Sequence, residues 1–518
     1  MKFNSMLYEQ NALTNYEGEK AYAMTPELEL YTAVVATALC NSFYENTDGR
    51  ISRISELVKL VPHEFTAKLA VYARNEMHLR SVPLLLIVEL AKIHNGDSLV
   101  ARTIEKCVLR ADEIMELLMC YQFRNADTNS RKKLGKLSRQ IQNGLQQAFN
   151  RFDEYQFAKY DRDNLEVKLR DALFIVHPKA KDERQQQIFN KIANRQLEIP
   201  YTWETELSAL GQQQFADNAE KETAFRQKWE ELIFSGKLGY MAMLRNIRNM
   251  LSSKVSSSAA ERVASVLSDL AQIEKSQQLP FRYLSAYREI EKSESHDAAF
   301  MLSALEQAVK HSAANIKGFD ADTQVLLACD VSGSMHSPVS KNSAVQYYDI
   351  GLLLAMLLKN RCRRVVSGIF GDDWKVVNVP SDNILQSTTE LQKLQNSVGF
   401  STNGYKVIDY LIDNNITMDK VMFFTDMQMW DSDNGYRRVV GSKHGVSSFE
   451  KLWNKYKQLV PNAKLYIFDL AGYGQSPLRM LSNDVYLIAG WSDKVFDVLS
   501  SVDNGENAID LINKVEIG

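Results

Sequence analysis

The sequence predicts a two-part α plus α/β protein: a long array of short paired helices, then a doubly wound parallel sheet. Three observations predict it. Through residues 27–287 apolar residues recur at helical spacing with short polar breaks, and strand-like alternation is nearly absent. Beyond residue 319, short apolar runs alternate with amphipathic stretches, the βαβ pattern of a sheet covered on both faces. At 518 residues the chain is too long for one ordinary core, so two or three domains are expected.

Taken in order, residues 1–25 are polar and weakly periodic. Thr25-Pro26-Glu27 then opens the first helix with a capping hydroxyl, a proline in the first turn and an acidic residue after it. Helical patterns follow at 27–43, 51–60, 64–75, 82–93, 100–109, 111–120 and 130–149. More come at 165–176, 184–193, 225–234, 240–249, 259–273 and 281–287. Each is too short to bury its own apolar face, which is the condition that makes an α-solenoid. One more helix, 297–316, leads to Lys317-Gly-Phe-Asp-Ala321, where a boundary is expected, giving domains 1–318 and 319–518. Past it, strands are expected at 324–329, 364–370, 375–379, 420–425, 464–470 and 485–488. Helices are expected at 343–358, 389–396, 405–414, 447–459 and 495–502.

Composition narrows the function classes. Hydrophobic content of 45% and charged content of 24% are those of a globular protein, and a net charge of −3 leaves any basic surface local. No apolar run is long enough to span a bilayer, and the N-terminus lacks the apolar core of a signal peptide, so a cytoplasmic protein without a membrane partner is expected. The five cysteines (Cys40, Cys107, Cys120, Cys329, Cys362) are scattered, which supports neither a disulfide framework nor a zinc site.

The most specific stretch is Gln324-Val-Leu-Leu-Ala-Cys-Asp-Val-Ser-Gly-Ser334. A buried strand runs straight into one carboxylate and two hydroxyls at the strand end where α/β sheets hold ligands. Asp330, Ser332 and Ser334 alternate, so in an extended segment they point the same way, and Gly333 lets the backbone bend. These oxygen donors suit a hard divalent cation, Mg2+ first. Thr402, on a turn before the 405–412 helix, and Asp426, ending a second apolar strand, complete the set. The order Asp-x-Ser-x-Ser, loop Thr, strand-end Asp resembles the metal-ion-dependent adhesion site of von Willebrand factor A domains. With so few carboxylates, a two-metal nuclease is not expected, and Asp372-Asp373 reads as a turn.

A second feature lies in the helical half. Residues 124–195 carry an excess of about +7 in a chain that is negative overall, pointing to a polyanion surface. Tyr121, Phe123, Tyr155 and Tyr160 are interleaved and could stack on bases. A solvated helix face over buried aromatics accounts for the same pattern. His177, in Phe174-Ile-Val-His-Pro-Lys179, reads from its position as a helix-end hydrogen-bonder.

The helical half resembles the TROVE module of the Ro ribonucleoprotein family. The resemblance rests on Asn15-Tyr-Glu-Gly18 with Ala21-Tyr22, Arg80-Ser-Val-Pro83, Lys159-Tyr160, Asp171-Ala-Leu-Phe-Ile-Val-His-Pro-Lys179 and Met243-Leu-Arg-Asn246. A TROVE module followed by a von Willebrand A domain is the Ro arrangement. It implies a ring-closed, HEAT-like solenoid whose basic hole admits single-stranded 3′ ends of misfolded noncoding RNAs, with Y RNAs on the outer surface. Carried over by position, the RNA contacts it implies are Lys159, Arg162 and His177, then Lys133, Lys136, Arg139, Lys168 and Arg170. It also implies an exoribonuclease such as polynucleotide phosphorylase as partner. Where the family often has a further basic residue after Lys-Tyr, this chain has Asp161, followed by Asp163 and Glu166. A competing reading is a divalent-cation-dependent protein-interaction scaffold; RNA affinity that falls with salt and survives EDTA separates the two.

Overall fold

The computed structural model describes residues 12–37, 39–125, 137–162, 164–312, 322–340, 343–430, 448–478, 484–492, 494–503 and 506–518. They form two compact units. One comprises Met1–Arg53, Ala264–Glu294 and Ala298–Leu511; the other comprises Ile54–Val263, Ser295–Asp297 and Ile512–Gly518. The boundary proposed at 317–321 lies outside the described residues.

The first unit holds the strands: β1 (Ala12–Thr14), β2 (Lys20–Ala23), β3 (Gln324–Asp330), β4 (Arg364–Phe370), β5 (Trp374–Val376), β6 (Lys420–Thr425), β7 (Lys464–Asp469), β8 (Gln475–Ser476) and β9 (Val485–Ala489). Six of them make one sheet in the order β5-β4-β3-β6-β7-β9, parallel except for β5 at the edge. The central strands β3 and β6 are buried almost end to end, which is why their sequences are unbroken apolar runs rather than alternating ones. The helix Tyr347–Arg361 is buried continuously from Tyr347 to Lys359, and Lys359 is tolerated there because its Nζ donates to Ser367 Oγ at 2.9 Å. Phe423, Phe424, Phe468, Tyr466 and Trp453 are fully enclosed around the sheet. Truncating any one of the Phe or Trp side chains to Ala costs about 3–5 kcal/mol.

Topology places the site. β3 pairs with β4 on one side and with β6 on the other, so the chain reverses its direction of sheet growth between them. At such a switch point the connections leave in opposite directions and open a crevice at the strand ends. Asp330 ends β3, and Asp426 follows the last residue of β6.

The N-terminal stretch differs from its polar, weakly periodic reading. β1 and β2 form an antiparallel hairpin, and β2 also pairs with β8. Strands of three and four residues are too short to show a period, so tertiary pairing decides their structure. The helix start at Thr25 is as expected: its hydroxyl accepts from Leu28 N at 3.3 Å, with Pro26 in the first turn.

The second unit is helical. His63–Asn75 packs on the next helix, Ser81–Ile93, and on the next but one, Leu99–Cys107; the latter in turn packs on Arg139–Phe149, and Ser81–Ile93 on Asp112–Asn125. Alternate helices stacking in two layers is solenoid packing. A Cβ on Gly144 would fall 2.8 Å from Ile104 Cβ and 3.1 Å from Ala101 Cα, so glycine sets the close approach of two of these helices. Fully buried Glu113 ties repeats together. It accepts from Arg74 Nη2 at 2.9 Å and from the backbone of Leu109 and Arg110 at 2.8 and 3.0 Å. No helix among the described residues is long and apolar enough to cross a membrane.

Candidate functional site

The five proposed cation ligands converge and are buried: Asp330, Ser332, Ser334, Thr402 and Asp426 all show under 5% exposure. Local structure aims each one. Asp330 Oδ1 accepts from Ser332 N at 2.9 Å, and Oδ2 accepts from the Thr425 hydroxyl at 2.6 Å. Ser332 is extended and caps a one-turn 3-10 helix, Gly333–His336, which brings its hydroxyl 3.4 Å from that of Ser334. Gly333 N donates to Phe400 O at 2.9 Å, stitching this turn to the Thr402 loop.

Gly333 itself departs from expectation. A Cβ there would meet Phe400 O only at 3.8 Å, an ordinary contact, and its φ is not left-handed. Glycine is demanded one loop away. Gly399 has φ +74°, and a Cβ on it would sit 2.1 Å from Asp372 Oδ2. Asp372, in the turn expected there, holds the Thr402 loop. Its Oδ1 accepts from Ser401 N at 2.7 Å, and its backbone oxygen accepts from Asn403 Nδ2 at 2.9 Å. Thr402 is oriented by donating to Gln428 O at 2.7 Å.

The electrostatics fit a cation. Burial pushes the carboxyls of Asp330 and Asp426 above the usual range, and for Asp426 the like charge of Asp330 adds to it. Asp426 Oδ1 accepts from Gln428 N at 3.1 Å, but Oδ2 is buried without a hydrogen bond. A buried, unpartnered carboxylate oxygen beside a second carboxylate and three hydroxyls is the arrangement a divalent ion stabilises. Among the described residues no group of three or more His, Cys, Asp or Glu is placed to hold a metal, so an ion here relies on the hydroxyls. Asp469, at the end of β7, adds a third acidic group at this edge of the sheet. Its Oδ1 accepts from Gly472 N at 2.7 Å, its Oδ2 has no partner, and burial raises it to about 6.

Sequence reasoning missed Thr425, Gln428, Asp372 and Asp469. Only Asp469 carried a signal: it too is a carboxylate ending an apolar run, Leu465-Tyr-Ile-Phe-Asp469.

The predicted RNA contacts lie in the helical unit, and the structure gathers them less tightly. Lys133 and Lys136 lie outside the described residues. Arg139 opens the helix Arg139–Phe149 and is exposed. Lys159 follows the short helix Glu154–Ala158 and is exposed, with its Nζ 5.7 Å from the Tyr160 ring; exposed Arg162 follows. Lys168 precedes the helix Leu169–Val176, and Arg170 lies 5.4 Å over the ring of Phe174 within it. His177 ends that helix in a left-handed conformation (φ 50°), its N–H donating to Leu173 O at 3.0 Å and its carbonyl accepting from Gln146 Nε2 at 3.1 Å. The backbone of His177 is thus a helix terminator, while its ring is exposed. Phe123, Tyr155 and Phe174 expose about half of their surface (58%, 47% and 49%), so three rings of this unit are open to stacking.

The sequence matches the TROVE domain family over residues 33–228 and 193–326, and the chain belongs to that family. The crystal structure of the Deinococcus radiodurans Ro (RSR) protein shares its fold, with a TM-score of 0.55 at 16% identity, covering 92% of this chain and 100% of that one. Telomerase protein component 1 of mouse is 39% identical over 99 residues, and that of rat 37% identical over 99 residues. Each match takes in 19% of this chain and spans 3% of the relative's length. Membership of the TROVE family supports an RNA-binding, ribonucleoprotein role.

Proposed function

We propose that this protein binds noncoding RNAs, both Y RNA-like molecules and misfolded RNAs whose single-stranded 3′ ends thread a basic hole in the helical repeats of residues 1–318. It acts in cytoplasmic RNA quality control or processing, handing RNA to an exoribonuclease such as polynucleotide phosphorylase. The observation carrying this is the TROVE match over residues that include Lys159, Arg162, Arg170 and His177, all exposed and interspersed with exposed Tyr155 and Phe174. Long cations neutralise phosphates and open rings stack on bases without reading a sequence. RNA copurifying with the protein identifies the ligand. Lys159→Glu with Arg162→Glu should weaken single-strand binding about tenfold at moderate salt while leaving the circular dichroism spectrum unchanged. Unchanged affinity counts against the reading.

The second site is proposed as a divalent-cation site of a von Willebrand A-like region, residues 319–518, with Mg2+ as the ion. The unpartnered Asp426 Oδ2 favours it. Asp330, Ser332 and Ser334 would hold the ion, with Thr402 and Asp426 completing the set directly or through water. When bound, the ion supplies an electrophilic point that accepts a carboxylate from a protein partner. No RNA cleavage is proposed; degradation of labelled RNA by the pure protein, lost in Asp330→Ala, overturns that.

A further inference from the structure

We propose that the turn Asn15–Glu19 is a built-in cap on the cation site, with Glu17 standing where a partner's carboxylate would approach. This rests on reading the Asp330 crevice as a divalent-cation site and adds what regulates access to it.

The turn is anchored on the residues that build the site. Asn15 is buried at 5% exposure, and its Nδ2 donates to Met429 O at 2.8 Å. Tyr16 N donates to Gln428 Oε1 at 2.9 Å. Gln428 is the residue whose N–H holds Asp426 and whose carbonyl orients Thr402. The cap and two proposed ligands are therefore tied to one four-residue segment, 426–429.

The same turn presents Glu17 inward. Asn15 Oδ1 accepts from Glu17 N at 3.1 Å and from Glu19 N at 2.9 Å, Asn15 N donates to Glu19 O at 2.8 Å, and Gly18, at φ +88°, permits the reversal. The half-buried Glu17 carboxylate accepts from the Tyr44 hydroxyl, and that hydroxyl lies beside the hydroxyl of Ser334. Tyr44 is fixed in turn: its ring stacks on Tyr16 at 4.9 Å and 11°, and Tyr473 meets both edge-on at 5.7 and 5.3 Å.

A third carboxylate brought close to two buried ones is unfavourable in itself. A divalent ion between them reverses the sign, because each acid then faces a charge of +2. Glu17 stands one hydroxyl away from Ser334, so it acts as an outer-shell partner of the ion through Tyr44. It fills the approach that an external carboxylate needs. A protein partner reaches the ion only by displacing the turn, which loses the hydrogen bonds from Asn15 and Tyr16. The Asn15-Tyr-Glu-Gly18 motif, unexplained by RNA binding, has a role in this arrangement.

The test compares wild type, Glu17→Gln, Tyr44→Phe and Asp330→Ala. Mn2+ affinity is read by electron paramagnetic resonance, and amide hydrogen exchange at residues 15–19 with and without Mn2+. Wild type should bind Mn2+, and the ion should slow exchange at Glu17 and Glu19. Glu17→Gln should bind about tenfold more weakly, the low end of what loss of an outer-shell partner costs, and lose the slowing. Tyr44→Phe keeps the carboxylate but loses the link, and should show the same two changes in smaller degree. Wild-type behaviour in both Glu17→Gln and Tyr44→Phe, with Asp330→Ala unable to bind, overturns the cap and leaves the cation site standing. Absence of Mn2+ binding in the wild type removes the cation site and the cap with it.

Discussion

The candidate sites of the two units are built in opposite ways. In the sheet-bearing unit the candidate site is built from short side chains, all nearly inaccessible, each aimed by a backbone hydrogen bond or by a neighbour such as Thr425 or Gln428. In the helical unit the candidate contacts are long exposed cations and half-exposed rings, and Arg170 over Phe174 is one of the few fixed geometries among them. A small ion is selected by donors already in place; a polymer of phosphates is held by charge that does not need a fixed position. The first depends on packing, the second on ionic strength.

That contrast can be broken most sharply at Asp330. Asp330→Ala should abolish measurable divalent-cation binding while changing affinity for single-stranded RNA by less than about twofold, because the proposed RNA contacts act through phosphate neutralisation by other residues. A parallel loss of RNA binding would show that the two sites are not separate. The converse change, Lys159→Glu with Arg162→Glu, should cost about tenfold in RNA affinity and leave Mn2+ titrations unaltered.

A packing change sharpens the same comparison. Gly144→Val forces a side chain against Ile104 and the Ala101 backbone and should destabilise the helical unit by about 1–3 kcal/mol. Thermal unfolding should then show an earlier transition, with cation binding retained below it. A single transition in which cation binding is lost too would mean that the two units unfold as one.

The smallest effect is a pH dependence. Burial raises the carboxyls of Asp330, Asp426 and Asp469 above their ordinary 3.8, to about 6 for Asp469. Between those values the folded chain holds protons that the unfolded chain has released, so without a divalent ion stability falls as pH rises through that window. Below pH 3.8 the effect is absent, and above the raised values it is complete. Melting temperatures across this range should decline in EDTA, and Mg2+ should flatten the slope. A rise with pH in EDTA would contradict the burial of these groups as acids.

Legibility divided along the same line. The parallel strands could be read almost residue for residue, because strands buried on both faces must be continuous apolar runs: 420–425 was expected and β6 is Lys420–Thr425. Among the five candidate ligands, Asp330 and Asp426 were legible because a strand end fixes direction. Asp372 and Gln428 were not, since their roles come from loops meeting in space, and a sequence gives no sign of which loops meet. The β1–β2 hairpin escaped for a related reason: its short strands owe their conformation to pairing with each other and with β8. In the helical unit most helix positions followed the apolar period, though Glu154–Ala158 and Trp203–Gly211 escaped it; the choice of candidate RNA contacts did not follow it, because an exposed Lys on a helix satisfies the same pattern whether it meets water or phosphate. Family resemblance supplied those residues.

The most direct measurement is the affinity of a fluorescent single-stranded RNA across a salt series, run once in Mg2+ and once in EDTA. The expected result is a steep linear fall of log affinity with log salt, with the same slope in both. Binding that needs Mg2+ and ignores salt would contradict the assignment of RNA to the basic helical surface and of the cation to a separate role.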